Sequence, residues 1–304
     1  MADGFRGMLR RCLGRTPAHC ALRPSAAERV AVPGGIRLKV SYAVERGERV
    51  WAYLFLPAKP GPHPAVLCAH QHHHQYHLGK SEPAGLAGDP DQFYALELAA
   101  RGYVTLAPDA VGFEQRQHPA LQGQAYERFE ANRRLTEGSC LQTKMLWDLK
   151  RALDFLAARR EVDARRIGCL GHSLGGQETL FLCALDRRVA VGVSSCGFSS
   201  YRALFDGAIN HNFAAYVPRL LQYGDLDRVL GLVAPRPFLA LAGKEDPIFP
   251  LAGVRATVGK ARAAYGGAAH HLRLRVFPGG HGFSAPMREA AYAWLDRWLR
   301  PGGS

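Results

Sequence analysis

Gly171-His172-Ser173-Leu174-Gly175 lies between the apolar run RIGCL (166–170) and the helix-length segment GGQETLFLCALD (175–186). No other feature constrains the chain so tightly. A serine with glycine two residues before and two after it, directly following a buried strand and opening a helix, requires a sharp strand-to-helix turn. Such a turn lifts the serine oxygen above the sheet and aims the first N–H groups of the helix at charge developing on a substrate. Ser173 is therefore the candidate nucleophile, and the N–H of Leu174, next in the chain, is a candidate oxyanion donor.

A serine hydroxyl is a weak nucleophile until a base removes its proton, so a histidine must lie downstream. Thirteen histidines compete. His281 in VFPGGHGF follows the last expected strand, LRLRVF, in a Gly-rich loop that can turn an imidazole back toward the serine. His270 and His271 open that strand and should point elsewhere. The acid should leave the preceding strand, and Asp246 does so in LALAGKEDPIFP, where Pro247 ends the extended run. Glu245 would face away if Asp246 faces in, and Asp225 and Asp227 are the reserve acids. The chain order Ser173, Asp246, His281 is that of a hydrolase triad in which the acid orients the base.

The rest of the chain reads as an α/β architecture. Alternating apolar and polar residues from Val30 to Leu56 predict antiparallel strands. PAVLCAH (64–70), GYVTLAPD (102–109), RIGCLGH (166–172), VAVGVSS (189–195) and PFLALAG (237–243) are continuous apolar runs, as in parallel strands buried on both faces. Helices are expected between them, notably at 140–160, 175–186 and 286–299. Residues 197–236 are too long for a simple crossover and are expected to form a small cap over the site. Residues 1–28 read as a flexible basic arm, and 29–300 as the folded domain.

The second oxyanion donor should come from the loop after PAVLCAH, which reads His70-Gln71-His72-His73-His74-Gln75-Tyr76-His77. His72 is the first choice and Gln71 the competitor. Five histidines in eight positions could also hold a transition metal, yet no carboxylate or cysteine spacing completes a site. No metal and no cofactor is expected.

The net charge of +13 suits polyanions in principle, but the arginines are scattered and not interleaved with aromatics, which argues against nucleic-acid binding. No run is long enough for a membrane span. The seven cysteines are odd in number, dispersed and never spaced CxxC; this pattern fits a reducing cytoplasm better than a disulfide framework.

The motifs AHQHHHQYHLGKSEPAGLAGD, GYVTLAPDAVGFEQR, GHSLGGQET, LAGKEDPIFP and FPGGHGF together resemble the α/β-hydrolase superfamily, and more narrowly its dienelactone-hydrolase-like branch, over about residues 50–299. The resemblance implies an α/β-hydrolase fold with a mostly parallel sheet of about eight strands, and metal-free cleavage of a small-molecule ester. Dienelactone hydrolase itself uses a cysteine nucleophile where this chain has Ser173. Asp109, in the family-like APDAVGF stretch, reads as a residue that fixes a loop beside the site. The expected activity is serine-dependent hydrolysis of a carboxylic ester through an acyl-enzyme. Two alternatives stand beside it: an acyltransferase or thioesterase using the same triad, and a small-molecule receptor built on a hydrolase fold.

Overall fold

Strands covered on both faces cannot alternate polar with apolar residues, and the continuous apolar runs form the centre of the sheet. The computed structural model describes residues 2–300. The chain enters through helix α1 (Ala2–Leu13) and continues as an antiparallel meander, β1 (Ser25–Val32), β2 (Gly35–Glu45) and β3 (Glu48–Pro57). Gly34 and Gly47 make the two tight turns at φ near +80°, a conformation disfavoured for residues bearing a Cβ. The buried runs become β4 (His63–Ala69), β5 (Val104–Pro108), β6 (Val162–His172), β7 (Val189–Ser195), β8 (Phe238–Gly243) and β9 (Leu272–Phe277).

The order across the sheet is β1-β2-β3-β5-β4-β6-β7-β8-β9. β3 pairs antiparallel with β5, and every pair from β5 to β9 is parallel. The sheet thus has nine strands, not about eight. Its outermost strand, β1, is largely exposed and begins inside the stretch read as an arm.

Successive residues of β4 show how the layers form. Ala65 and Leu67 belong to a core shared with α1, α4 (Leu141–Ala157), α5 (Leu174–Leu185), α7 (Leu226–Gly231) and α8 (Leu251–Tyr265), whereas Val66 and Cys68 face α2 (Tyr94–Ala100) and α9 (Ala285–Leu299). The period of two in a strand sends alternate side chains to opposite faces, so each run supplies both cores.

Residues 2–13 correct the arm reading. Phe5, Leu9, Cys12 and Leu13 are buried in the larger core, and Arg6 donates to the carbonyls of Ala184 (2.7 Å) and Leu232 (3.3 Å). The segment after β7 contains α6 (Tyr201–Asp206), two 3-10 turns and α7 before the chain enters β8. Helix α3 (Gly123–Thr136), between β5 and α4, faces part of that segment.

Candidate active site

Four loops at the carboxyl ends of parallel strands meet at one place, as open α/β sheets arrange their sites. β6 ends at His172, and Ser173 follows with φ +54° and ψ −118° before α5 begins. Holding a residue with a Cβ there costs on the order of 1–3 kcal/mol. The glycines are required by contact: a Cβ on Gly171 would lie 2.3 Å from the backbone of Gly175, and one on Gly175 would lie 1.9 Å from the Ala69 carbonyl oxygen. The elbow is further fixed by the Ser173 N–H, which donates to the Ser195 carbonyl at 2.8 Å.

The loop after β9 carries His281, and the loop after β8 carries Asp246. His281 Nδ1 lies 2.9 Å from Asp246 Oδ2, and its Nε2 lies 2.9 Å from Ser173 Oγ. An ionised carboxylate can only accept, so Nδ1 carries the proton and Nε2 accepts from the serine hydroxyl. The other Asp246 oxygen accepts the N–H groups of Ile248 and Phe249, both at 3.0 Å. Burial works to raise the Asp246 pKa, but the hydrogen bond and charge of His281, together with these backbone donors, hold it below the usual carboxylate range. The side chain of His172 stacks on Phe283 beside His281, and burial keeps its imidazole neutral.

The competing residues are occupied elsewhere. Glu245 accepts the Gly279 N–H at 2.7 Å. Asp225 caps α7 and takes the N–H groups of Tyr201 and Arg202. His270 and His271 lie in a short helical turn ahead of β9, and His271 Nδ1 contacts the Pro235 carbonyl.

Among the described residues, the His-rich loop brings no three ligand atoms within reach of one ion, and its two buried histidines are engaged elsewhere. His70 Nδ1 donates to the Gln71 carbonyl (2.7 Å), and its Nε2 accepts from the Ala110 N–H (3.0 Å); burial lowers its pKa to about 4. His72 Nδ1 accepts the His74 N–H at 3.1 Å, so Nε2 is the protonated nitrogen and donates to Glu127 at 3.0 Å. The Gln71 amide donates to the carboxylate of Glu82. Among the described residues, the one group of three side chains within metal-ligand reach is Cys196, Asp246 and His281, whose donor atoms lie within 4.8 Å of one another. There the thiol is pushed up to about 12, chiefly by burial, and the imidazole and carboxylate already share a hydrogen bond.

Asp109 fixes the neighbouring loop. Its carboxylate accepts the Lys80 N–H at 2.7 Å and Lys80 Nζ at 2.9 Å, and Lys80 also pairs with Glu114. Two carboxylates share one buried ammonium. Burial pushes Asp109 up to about 7, while the bonds from Lys80 and Ser81 overcome burial to hold Glu114 below its ordinary value.

Glu127 and its partners were not anticipated. One Glu127 oxygen accepts from both His72 Nε2 and the Tyr76 hydroxyl (2.5 Å), and the other accepts the Phe213 N–H at 3.2 Å. A single buried carboxylate on α3 therefore joins the His-rich loop to the segment after β7. That segment also places His211 near His281: its ring packs 4.5 Å from Phe249, which packs 5.6 Å from His281.

The model of the dienelactone hydrolase family matches residues 50–300, which take in all four loops. The chain belongs to the dienelactone hydrolase family. This family member is 35% identical over 260 residues to YtaP of Bacillus subtilis (strain 168), covering 83% of this chain and 84% of YtaP. Two solved structures share its fold at lower identity. A glucuronoyl esterase from Solibacter usitatus superposes with a TM-score of 0.72 at 16% identity, covering 97% of this chain and 91% of that one. Acetyl Xylan Esterase 1 from Thermoanaerobacterium sp. JW/SL YS485 gives 0.63 at 19%, covering 97% and 92%. At these identities the likeness establishes the α/β-hydrolase architecture, and the sheet and elbow of this family member agree with it.

Proposed function

We propose that the carboxylic ester hydrolase activity of this dienelactone hydrolase family member runs through an acyl-enzyme on Ser173. The observation that carries the reading is the continuous hydrogen-bonded line from Ser173 Oγ through His281 to Asp246, with both links at 2.9 Å. His281 takes the serine proton as Oγ attacks the ester carbonyl, then returns it to the leaving alcohol. Asp246 holds the imidazole in the required tautomer and stabilises the imidazolium. Water then attacks the acyl-enzyme with His281 again as base, and the carboxylic acid leaves.

The oxyanion donors in this mechanism are the N–H of Leu174 and an N–H of the loop after β4, from His72 with Gln71 as competitor. The first N–H groups of a helix have no intrahelical partner, so Leu174 is available. The close approach of Gly175 to Ala69 and His70 brings the start of α5 against the root of that loop. The His72 ring is committed to Glu127, so its role at the triad is that of a backbone donor. All seven cysteines are free thiols and six are buried, which supports a reducing, cytoplasmic setting. No helix among the described residues is long and apolar enough to cross a membrane.

Labelling with a fluorophosphonate probe, together with turnover of p-nitrophenyl esters of rising acyl length, tests the reading. The expected result is covalent labelling, sustained release of acid to water, and loss of both in Ser173→Ala. A protein that releases about one equivalent and stops would be a receptor. Diversion of the acyl group to low concentrations of added alcohol, amine or thiol would make it a transferase.

A further inference from the structure

Between the His-rich loop and the segment after β7 lies a polar cleft of about 140 Å³, formed by His74, Gln124, Asn210, His211, Phe213 and Tyr216 over a floor that includes Glu127. It adjoins both halves of the proposed machinery. The His74 ring packs 4.7 Å from His72 on the oxyanion loop, and His211 reaches His281 through Phe249. We propose that this cleft is a subsite for an uncharged sugar ring, so that the ester cleaved is one carried by a neutral glycoside. The inference rests on the ester hydrolase reading and adds the substrate class to it.

The lining matches that chemistry group by group. Asn210 Oδ1 accepts from the Tyr216 hydroxyl at 3.0 Å, which leaves the amide NH₂ to donate. Gln124 stands exposed at the rim with an amide that can both donate and accept. His211 Nε2 faces the Ile248 carbonyl at 2.8 Å and must donate to it, so Nδ1 is left as an acceptor. Burial keeps the His74 and His211 imidazoles below their ordinary pKa, and hence neutral near pH 7. Phe213 and Tyr216 add flat apolar rings against which the C–H face of a pyranose can pack.

The charges argue in the same direction. The chain has 39 lysines and arginines, yet none lines the cleft. Its one carboxylate, Glu127, is already bonded to His72, Tyr76 and Phe213. An anionic uronate would find no cation there, and a bare hydrocarbon would leave the amides and imidazoles without partners. A volume equal to about five waters in the liquid suits one small polyhydroxylated ring.

The experiment compares kcat/KM of the full-length protein for four acetates: p-nitrophenyl acetate, cyclohexyl acetate, an acetylated methyl xyloside and an acetylated methyl glucuronoside with its carboxylate free. The xyloside should exceed cyclohexyl acetate by about tenfold or more, and the glucuronoside should fall well below the xyloside. Asn210→Ala and Gln124→Ala, both at exposed positions, should each lower the ratio of xyloside to p-nitrophenyl acetate about three- to tenfold, mainly through KM. A xyloside no better than cyclohexyl acetate, a glucuronoside as good as the xyloside, or a ratio unmoved in both variants overturns the subsite. In any of those cases, p-nitrophenyl acetate turnover that depends on Ser173 leaves the ester hydrolase reading intact. Its absence from the wild type removes both.

Discussion

His72 donates through Nε2 to Glu127 at 3.0 Å, and the same carboxylate receives the Phe213 N–H from the segment after β7. The loop proposed to offer the second oxyanion N–H is thereby positioned by a residue on α3 whose hydrogen bonds go to His72, Tyr76 and Phe213. Glu127→Gln keeps the shape but turns one of two oxygens, which together serve three donors, into an NH₂ group. The variant should lose about 1–3 kcal/mol of stability and up to about 100-fold in kcat toward p-nitrophenyl acetate, with a smaller change in KM. An unchanged kcat beside a lowered Tm would make the carboxylate a purely structural tie.

At the elbow, Ser173→Ala should lower turnover by up to about 10⁶-fold, leaving a residual rate from binding and the oxyanion donors. The positive φ of Ser173 is as unfavourable for alanine as for serine, whereas glycine adopts it freely. Ser173→Gly should therefore be equally inactive but more stable than Ser173→Ala by about 1 kcal/mol. Urea midpoints of the two variants decide this, and a less stable glycine variant would contradict the strain argument.

Asp246→Asn should cost on the order of 10⁴ in kcat, because the amide favours the wrong imidazole tautomer. It also has a pH signature. The folded pKa of Asp246 lies below its unfolded value, so its stabilising contribution is complete above the unfolded carboxylate value, near ~4. It disappears as pH falls through the folded value. The stability gap between wild type and Asp246→Asn should then be wider at pH 7 than at pH 3. A gap that does not change with pH would mean that the charge of Asp246 contributes nothing to the fold.

Chelation tests the His-rich loop. Both ring nitrogens of His70 and of His72 already have hydrogen-bond partners within the protein. EDTA should leave the rate unchanged. Inactivation by EDTA that zinc reverses would mean that the loop holds an ion, through these rings or through the exposed His73, His74 and His77.

How much of this was legible in the sequence differs from residue to residue. Ser173 could be read because its requirement is local: two glycines within four residues, a strand before and a helix after. Asp246 and His281 could be expected because each lies in the loop that leaves a strand, β8 and β9 respectively. Glu127 could not, since its partners lie 51, 55 and 86 residues away and α3 is otherwise polar. The ninth strand escaped because β1 is an exposed edge with little apolar alternation. The α1 helix was missed for another reason. Phe5, Met8, Leu9, Cys12 and Leu13 follow helical spacing, but the arginines between them gave the segment the look of a solvated basic tail.

That helix supplies the last test. Leu9 is fully buried and Phe5 nearly so, in the same core as α5 and α7. Beyond α1, Thr143 Oγ1 donates to the Leu13 carbonyl at 2.5 Å, and the Arg15 N–H donates to Gly138 at 3.0 Å. Removing a buried leucine side chain down to alanine costs about 2–5 kcal/mol. For a chain of this size that corresponds to a fall in Tm of roughly 3–8 °C. Arg10→Ala, on the exposed side of the same helix, should change stability by less than about 0.5 kcal/mol. Neither Leu9 nor Arg10 belongs to the proposed line from Ser173 through His281 to Asp246, so kcat measured well below the melting range should be the same in both variants. If Leu9→Ala melts with the wild type, the first thirteen residues do not contribute to the core in solution, and the segment behaves as the solvated arm that its charge suggests.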